Sequence, residues 1–259
     1  MTLDDFDARM RERGWVCFES CVPAAALAGV RADILACVDD CGRRQVAAGL
    51  GATPDGTAHH AVGQYAHLDA FLEAGYLDDH VARFFGGAAH ILHAFNPVTV
   101  VPSRASYLHN IHRDVRTHAG PFRLLLNMLV MVDAFTLENG ATYVLSGSHA
   151  SDRRPDEAAF QRGAERLVGP AGSIVLFDSN LWHAAGANHT DRPRVALTAS
   201  FSRAFVKQQM DYPRFLGAEY GRGLTPRMRQ LLGYNAMTPT SYEEWYRPRE
   251  QRLYHAEQG

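Results

Sequence analysis

The sequence predicts a mainly β protein in which a helical N-terminal layer packs on a jelly roll. Apolar residues recur at helical spacing through the first hundred positions. From Ala89 to Phe205 they fall instead into short runs bounded by Gly, Pro, Asn and Asp, with no helical pattern between them. That change of period predicts helices first and an antiparallel sandwich or barrel after.

Leu3 to Arg13 reads as a short helix stopped by Gly14, and Trp15 to Phe18 as a strand. Ala24 to about Gln45 reads as a long helix, because Leu27, Val30, Ile34 and Val38 keep a helical period. A Gly-containing stretch, Ala47 to Ala58, breaks the pattern and predicts a mobile loop. Strands are then expected over Ile91 to Val101, Ser106 to His112, Leu124 to Phe135, Ala141 to Leu145, Ser173 to Phe177, Leu181 to Ala185 and Val195 to Phe205.

The 259 residues are 46% hydrophobic and 21% charged, with a formal net charge of −2, as in an ordinary globular protein. No linker, charge block or repeat divides the chain, so a single domain over 1–259 is expected. Within it, 1–88 is the mainly helical support, 89–205 the jelly-roll core and 206–259 a C-terminal extension. A near-neutral balance with Lys207 as the only lysine gives no basic stripe, which speaks against nucleic acid as a partner. The acidic N-terminus lacks an apolar signal core and no run reaches the ~20 apolar residues of a membrane span, so a cytoplasmic protein away from membranes is expected. Cys17, Cys21, Cys37 and Cys41 cluster in the first 41 residues and are expected to be reduced thiols, since they cannot staple a chain of this length. Oligomeric state is not legible.

His112 and Asp114 stand two apart on an expected strand, so an imidazole and a carboxylate project from one face toward a shared metal. His183, near the start of another short strand, supplies a third ligand. Two histidines and a carboxylate leave three positions open on iron(II), enough for a bidentate 2-oxo acid plus dioxygen. Arg194 opens the last strand, where its guanidinium could grip a remote carboxylate through two charge-assisted hydrogen bonds. The triplet alone is weak evidence, because composition yields roughly one or two and the chain has four: His67–Asp69, His112–Asp114, His189–Asp191 and His255–Glu257. Only the second combines a strand, a distal strand histidine and a following arginine; His67–Asp69 with His112 and Arg123 is the fallback set.

From about His109 to Phe205 the chain resembles the phytanoyl-CoA dioxygenase-like branch of the iron(II)/2-oxoglutarate oxygenases. The likeness rests on His112-Arg113-Asp114, on Glu138-Asn139-Gly140 through Ser146-Gly147-Ser148-His149, on Gly169-Pro170-Ala171-Gly172-Ser173, and on His183, Asn188 and Arg194 in order. It implies a double-stranded β-helix of the cupin-like kind, with iron(II), 2-oxoglutarate and dioxygen as cofactor and co-substrates. Ser146 stands where the family usually has Pro, which should loosen the turn, and Ala185 where a hydroxyl residue often helps hold the co-substrate.

His109, Asn127 and Thr142 are further candidates for lining the 2-oxoglutarate pocket, with a satisfied core histidine and a structural amide as the competing readings of the first two. Arg104, Arg116 and Arg123, with His118 and Arg203, place positive charge near the expected mouth. That would suit a carboxylate, phosphate or phosphonate on a small-molecule substrate, although arginine is also a common rim residue. The expected reaction is hydroxylation of an unactivated C–H. Desaturation, cyclisation, halogenation, a cupin-type metalloenzyme without 2-oxoglutarate and a metal-free binding module stand as alternatives. Asp114 speaks against halogenation, which has Ala or Gly at that position.

Overall fold

A computed structural model describes residues 1–50, 56–102 and 107–259. Helix α1 (Leu3–Arg13) begins at a capping box, in which the Thr2 hydroxyl accepts from the Asp5 N–H and the Asp5 carboxylate reaches back to Thr2. Such a cap contributes about 1 kcal/mol. The helix ends at Gly14 in the left-handed region (φ 80°), where a Cβ would come within 2.4 Å of His149 Nδ1. Strand β1 (Trp15–Phe18) follows, and then α2 (Ala24–Ala47), which buries Leu27, Val30, Ile34 and Cys37 on one stripe. Helices α3 (Ala66–Glu73) and α4 (Asp78–Phe84) complete the part before the main strands.

The remaining strands are β2 (His90–Val100), β3 (Leu125–Met131), β4 (Thr142–Val144), β5 (Glu165–Leu167), β6 (Ile174–Asp178), β7 (His183–Ala184) and β8 (Arg194–Arg203). They form a five-stranded antiparallel sheet in the order β1-β6-β3-β8-β2 and a three-stranded one in the order β5-β4-β7. The large sheet is covered on both faces, which explains why its central strand is apolar on both sides except at Asn127. On β3, Leu126, Met128 and Val130 join the helices in one core, while Leu129 and Met131 face the small sheet in another. Strand β8 alternates the same way, sending Val195, Leu197, Ala199 and Phe201 to the helical side.

Three expectations need correction. The strand expected over Ser106 to His112, whose first residue lies outside the described ones, is not found: Tyr107–His109 is a 3-10 turn, and the chain then forms an isolated bridge between His112 and His183. Glu165–Leu167, absent from the expected strands, is β5. The loop expected over Ala47 to Ala58 lies partly outside the described residues; after it Thr57 bridges to Val98 on β2. Ser146 ties its turn rather than loosening it, because its hydroxyl accepts from Trp15 Nε1 at 2.8 Å and donates to Glu165. The four cysteines are free thiols, and burial pushes Cys17 up to about 11. Among the described residues no helix is long and apolar enough to cross a membrane.

Candidate metal centre

Although the expected strand is missing, His112 and Asp114 are each pinned by backbone hydrogen bonds. His112 and His183 exchange backbone hydrogen bonds at 3.0 and 2.9 Å, and the Asp114 N–H donates to Ser179 O at 3.0 Å. This pairing places the two imidazole rings 4.2 Å apart, centre to centre. Asp114 closes the group, its carboxylate oxygens 3.6 Å from His112 Nε2 and 3.7 Å from His183 Nε2. All three ligand atoms lie within 4.8 Å of one another, and among the described residues no other group of three or more His, Cys, Asp or Glu side chains converges so.

Each imidazole presents the correct nitrogen. His112 Nδ1 lies 2.7 Å from Asn110 O and His183 Nδ1 2.9 Å from Leu181 O, so both Nδ1 atoms carry the proton and donate to carbonyls. That leaves both Nε2 lone pairs directed toward Asp114. Burial lowers the pKa of His183 and favours the neutral ring that a metal requires. Asn127, fully buried on β3, donates from Nδ2 to Asp114 Oδ2 at 2.7 Å and accepts from Ser200 Oγ at 2.6 Å. Two imidazoles with Nε2 facing inward, one oriented carboxylate and an open side fit iron(II).

The cluster borders a cavity of about 290 Å³. Even-numbered residues of β8 line it in a row, Arg194, Ala196, Thr198 and Ser200, opposite to the face that packs on the helices. Arg194 is 3% exposed; its Nη1 donates to Gly140 O at 3.0 Å and its guanidinium lies 3.8 Å over the Phe135 ring. Its buried Nε has no partner, and no carboxylate pairs with it among the described residues. Burial pulls its pKa down to about 9, with Asp133 opposing, which marks a cation that has lost water without gaining a counter-ion. A bound carboxylate would relieve it.

The structure sorts the other candidates. Asn127 and Thr142 line the cavity, and so does Ala185. Leu108 lines it in place of His109, which sits on the 3-10 turn. Arg104 lies outside the described residues. Arg116 is exposed and away from the cavity wall. Arg123 must be corrected: its Nη1 donates to Asp7 at 2.8 Å and to Phe84 O at 3.2 Å, so it holds α1 and α4 rather than substrate. Arg203 likewise stacks over Phe85 and Phe122. In the fallback set, His67 pairs with Asp33 and Asp69 accepts the Gly63 N–H, far from a common focus with His112.

Several polar lining residues were not anticipated, among them Thr57, His59, His93, Asn96, Thr198, Ser200 and Gln209. Thr198 was recoverable from the polar, small alternation that runs from Arg194 to Ser200. His93 was not, because it enters through a register shift on β2 between Leu92 and Ala94.

The model of the phytanoyl-CoA dioxygenase (PhyH) family matches residues 10–196. An uncharacterized protein of Mycobacterium tuberculosis, Rv1501, is 38% identical over 148 residues, covering 57% of this chain and 54% of that protein. The dioxygenase FrzG of Cladobotryum sp is 27% identical over 195 residues, covering 70% and 61%. The chain thus spans little more than half the length of these curated relatives. Among solved structures, the non-heme alpha ketoglutarate dependent epimerase SnoN from nogalamycin biosynthesis superposes with a TM-score of 0.60 at 21% identity, covering 78% of this chain and 83% of that one.

Proposed function

Because the chain belongs to the phytanoyl-CoA dioxygenase family, we propose that it is an iron(II)- and 2-oxoglutarate-dependent dioxygenase of a small-molecule substrate. The observation that carries this reading is the meeting of His112 Nε2, His183 Nε2 and the Asp114 carboxylate on the wall of a cavity that also holds the unpaired, buried Arg194. In it His112, Asp114 and His183 hold the iron, and Arg194 holds the far carboxylate of 2-oxoglutarate through its free guanidinium edge. Thr142 and Asn127 flank that co-substrate, Asn127 acting mainly by fixing Asp114. Bound there, iron(II) with dioxygen supplies the coupling of 2-oxoglutarate decarboxylation, giving succinate and carbon dioxide, to oxidation of a substrate C–H.

The protein's own contribution is geometric and electrostatic. Backbone bonds to Asn110 and Leu181 hold both imidazoles, the amide of Asn127 holds the carboxylate, and the apolar walls Leu108, Leu129 and Phe177 limit water. A single domain serves this site, with helices of 1–88 supporting the large sheet and 206–259 as an extension. Hydroxylation is the outcome we favour. The likeness to an epimerase makes stereochemical inversion the outcome to test against it. The deciding experiment supplies purified protein with iron(II), 2-oxoglutarate and oxygen and measures succinate with and without candidate substrates. Iron-dependent succinate formation that is lost in His183→Ala supports the reading; none under any condition sinks it.

A further inference from the structure

The cavity has two polar ends. Along β8 the seven residues from Arg194 to Ser200 span about 20 Å, and the metal cluster lies toward the Ser200 end, because Ser200 holds Asn127 and Asn127 holds Asp114. Ser200 pairs with Ala94 on β2, and immediately before Ala94 the register slips by one residue. On a regular strand, neighbouring residues face opposite ways. Here Ala94, Asn96 and Val98 line the cavity at the usual period of two, and His93 lines it as well. The bulge has turned one extra side chain inward at the Ser200 end of the cavity, away from Arg194.

That imidazole is unspent. It makes no hydrogen bond among the described residues, and its Nδ1 is buried without a partner. Its surroundings are built rather than incidental. The Gln209 N–H donates to His93 O at 3.1 Å, and Gln209 itself reaches the cavity. His59 arrives from a separate segment fastened along β2 by Ala58 N–H to Pro97 O (2.9 Å) and Ala61 N–H to Phe95 O (3.2 Å). His60 adopts a left-handed φ of 59°, a costly conformation for a non-glycine residue, and turns to Tyr212 (Nδ1 to OH 3.2 Å) while His59 lines the cavity.

We infer that His93, assisted by His59 and Gln209, is a specificity-determining residue that hydrogen-bonds an uncharged oxygen group of the substrate, a hydroxyl or carbonyl, at the end of the cavity opposite Arg194. This rests on the oxygenase reading of the site. An anion is disfavoured there, because the Asp114 carboxylate is near and Arg194, the one Arg or Lys among the described lining residues, serves the opposite end. The apolar wall of Leu108, Leu125 and Phe177 suits a carbon skeleton around that single polar group. With 2-oxoglutarate sharing about 290 Å³, the part of the substrate held inside is small.

The test uses full-length protein loaded with zinc(II), a redox-silent stand-in, and 2-oxoglutarate, probed by ligand-observed NMR with cyclohexanol, cyclohexanone, cyclohexanecarboxylate and methylcyclohexane. Cyclohexanol or cyclohexanone should bind more tightly than the other two. That preference should fall about fivefold in His93→Phe and be partly kept in His93→Gln, with 2-oxoglutarate affinity unchanged in both as the check on folding. Equal binding by wild type and His93→Phe, a preference for the carboxylate, or no neutral oxygen probe bound overturns the inference. Should the loaded wild type fail to take up 2-oxoglutarate, the oxygenase reading falls first and this inference with it.

Discussion

Asn127 and Asp114 are joined by a 2.7 Å hydrogen bond from the amide to the carboxylate oxygen that also faces His183. The bond leaves the carboxylate one orientation, and Ser200 fixes the amide in turn. Asn127→Leu should therefore leave the three ligands in place and weaken metal binding by about 10- to 100-fold, the usual effect of losing an outer partner. Anaerobic titration with iron(II) or manganese(II) measures this. Unchanged affinity would show that Asp114 is oriented by something else.

Arg194→Ala should leave metal affinity near that of wild type and raise the 2-oxoglutarate requirement sharply, since removing one partner of a buried pair costs about 3–5 kcal/mol. Arg194→Lys should restore only part, because an ammonium cannot match the planar fork. Thermal shift gives a second readout. Co-substrate should stabilise the metal-loaded wild type, whose guanidinium is buried and unpaired, and stabilise the Ala variant far less. Equal half-saturation in the two proteins would place the carboxylate elsewhere.

His183→Ala and Asp114→Ala probe the ligand set directly. With iron(II) and 2-oxoglutarate under anaerobic conditions, the wild type should show a weak visible charge-transfer band, as a chelated 2-oxo acid requires the open face of this centre. Both substitutions should weaken or abolish it. Asp114→Ala should also end hydroxylation without producing an efficient halogenase, because opening a site for chloride does not position a substrate for its transfer. A full band in His183→Ala would remove that histidine from the metal.

Much of this site was legible because it depends on residue order rather than exact backbone form. His183 and Arg194 stand on strands, as expected, whereas His112 and Asp114 were singled out on the expectation of a strand that is not there. A bridge between His112 and His183 and the Asp114 N–H bond to Ser179 O do the same geometric work, since they hold both side chains at the place where His183 arrives. The strands of the large sheet were legible from their apolar runs, while β5, with Glu165 and Arg166 among its three residues, carries too little apolar pattern to be seen. His93 was hidden for a different reason. A one-residue slip depends on the partner strand, and nothing local to Leu92-His93-Ala94 announces it. The arginines misled because charge shows in a sequence but its partner does not.

Arg123 shows what its partner does. Its Nη1 and Arg83 Nε donate to the two carboxylate oxygens of Asp7 at 2.8 and 2.5 Å, joining α1 to α4 and to the segment before β3. Burial alone would raise the Asp7 pKa, but the bonds and charges of Arg123 and Arg83 outweigh it and hold the carboxyl below its ordinary value of 3.8. A carboxyl depressed in the folded state stabilises the fold above its unfolded pKa, and that stabilisation is lost as pH falls through the lower, folded value. Asp7→Asn, which keeps the size and removes the charge, should therefore be less stable than wild type at pH 7, by about 1–2 kcal/mol. The gap should stay nearly constant down to about pH 5 and close below the ordinary value of 3.8 as the wild-type carboxyl takes up its proton. Urea unfolding at pH 7, 5 and 3 measures it. A gap that persists undiminished at pH 3 would mean that shape, not charge, makes Asp7 important. Arg123→Ala should reproduce the loss at pH 7 while leaving 2-oxoglutarate affinity unchanged, and a raised co-substrate requirement in that variant would return Arg123 to the active site.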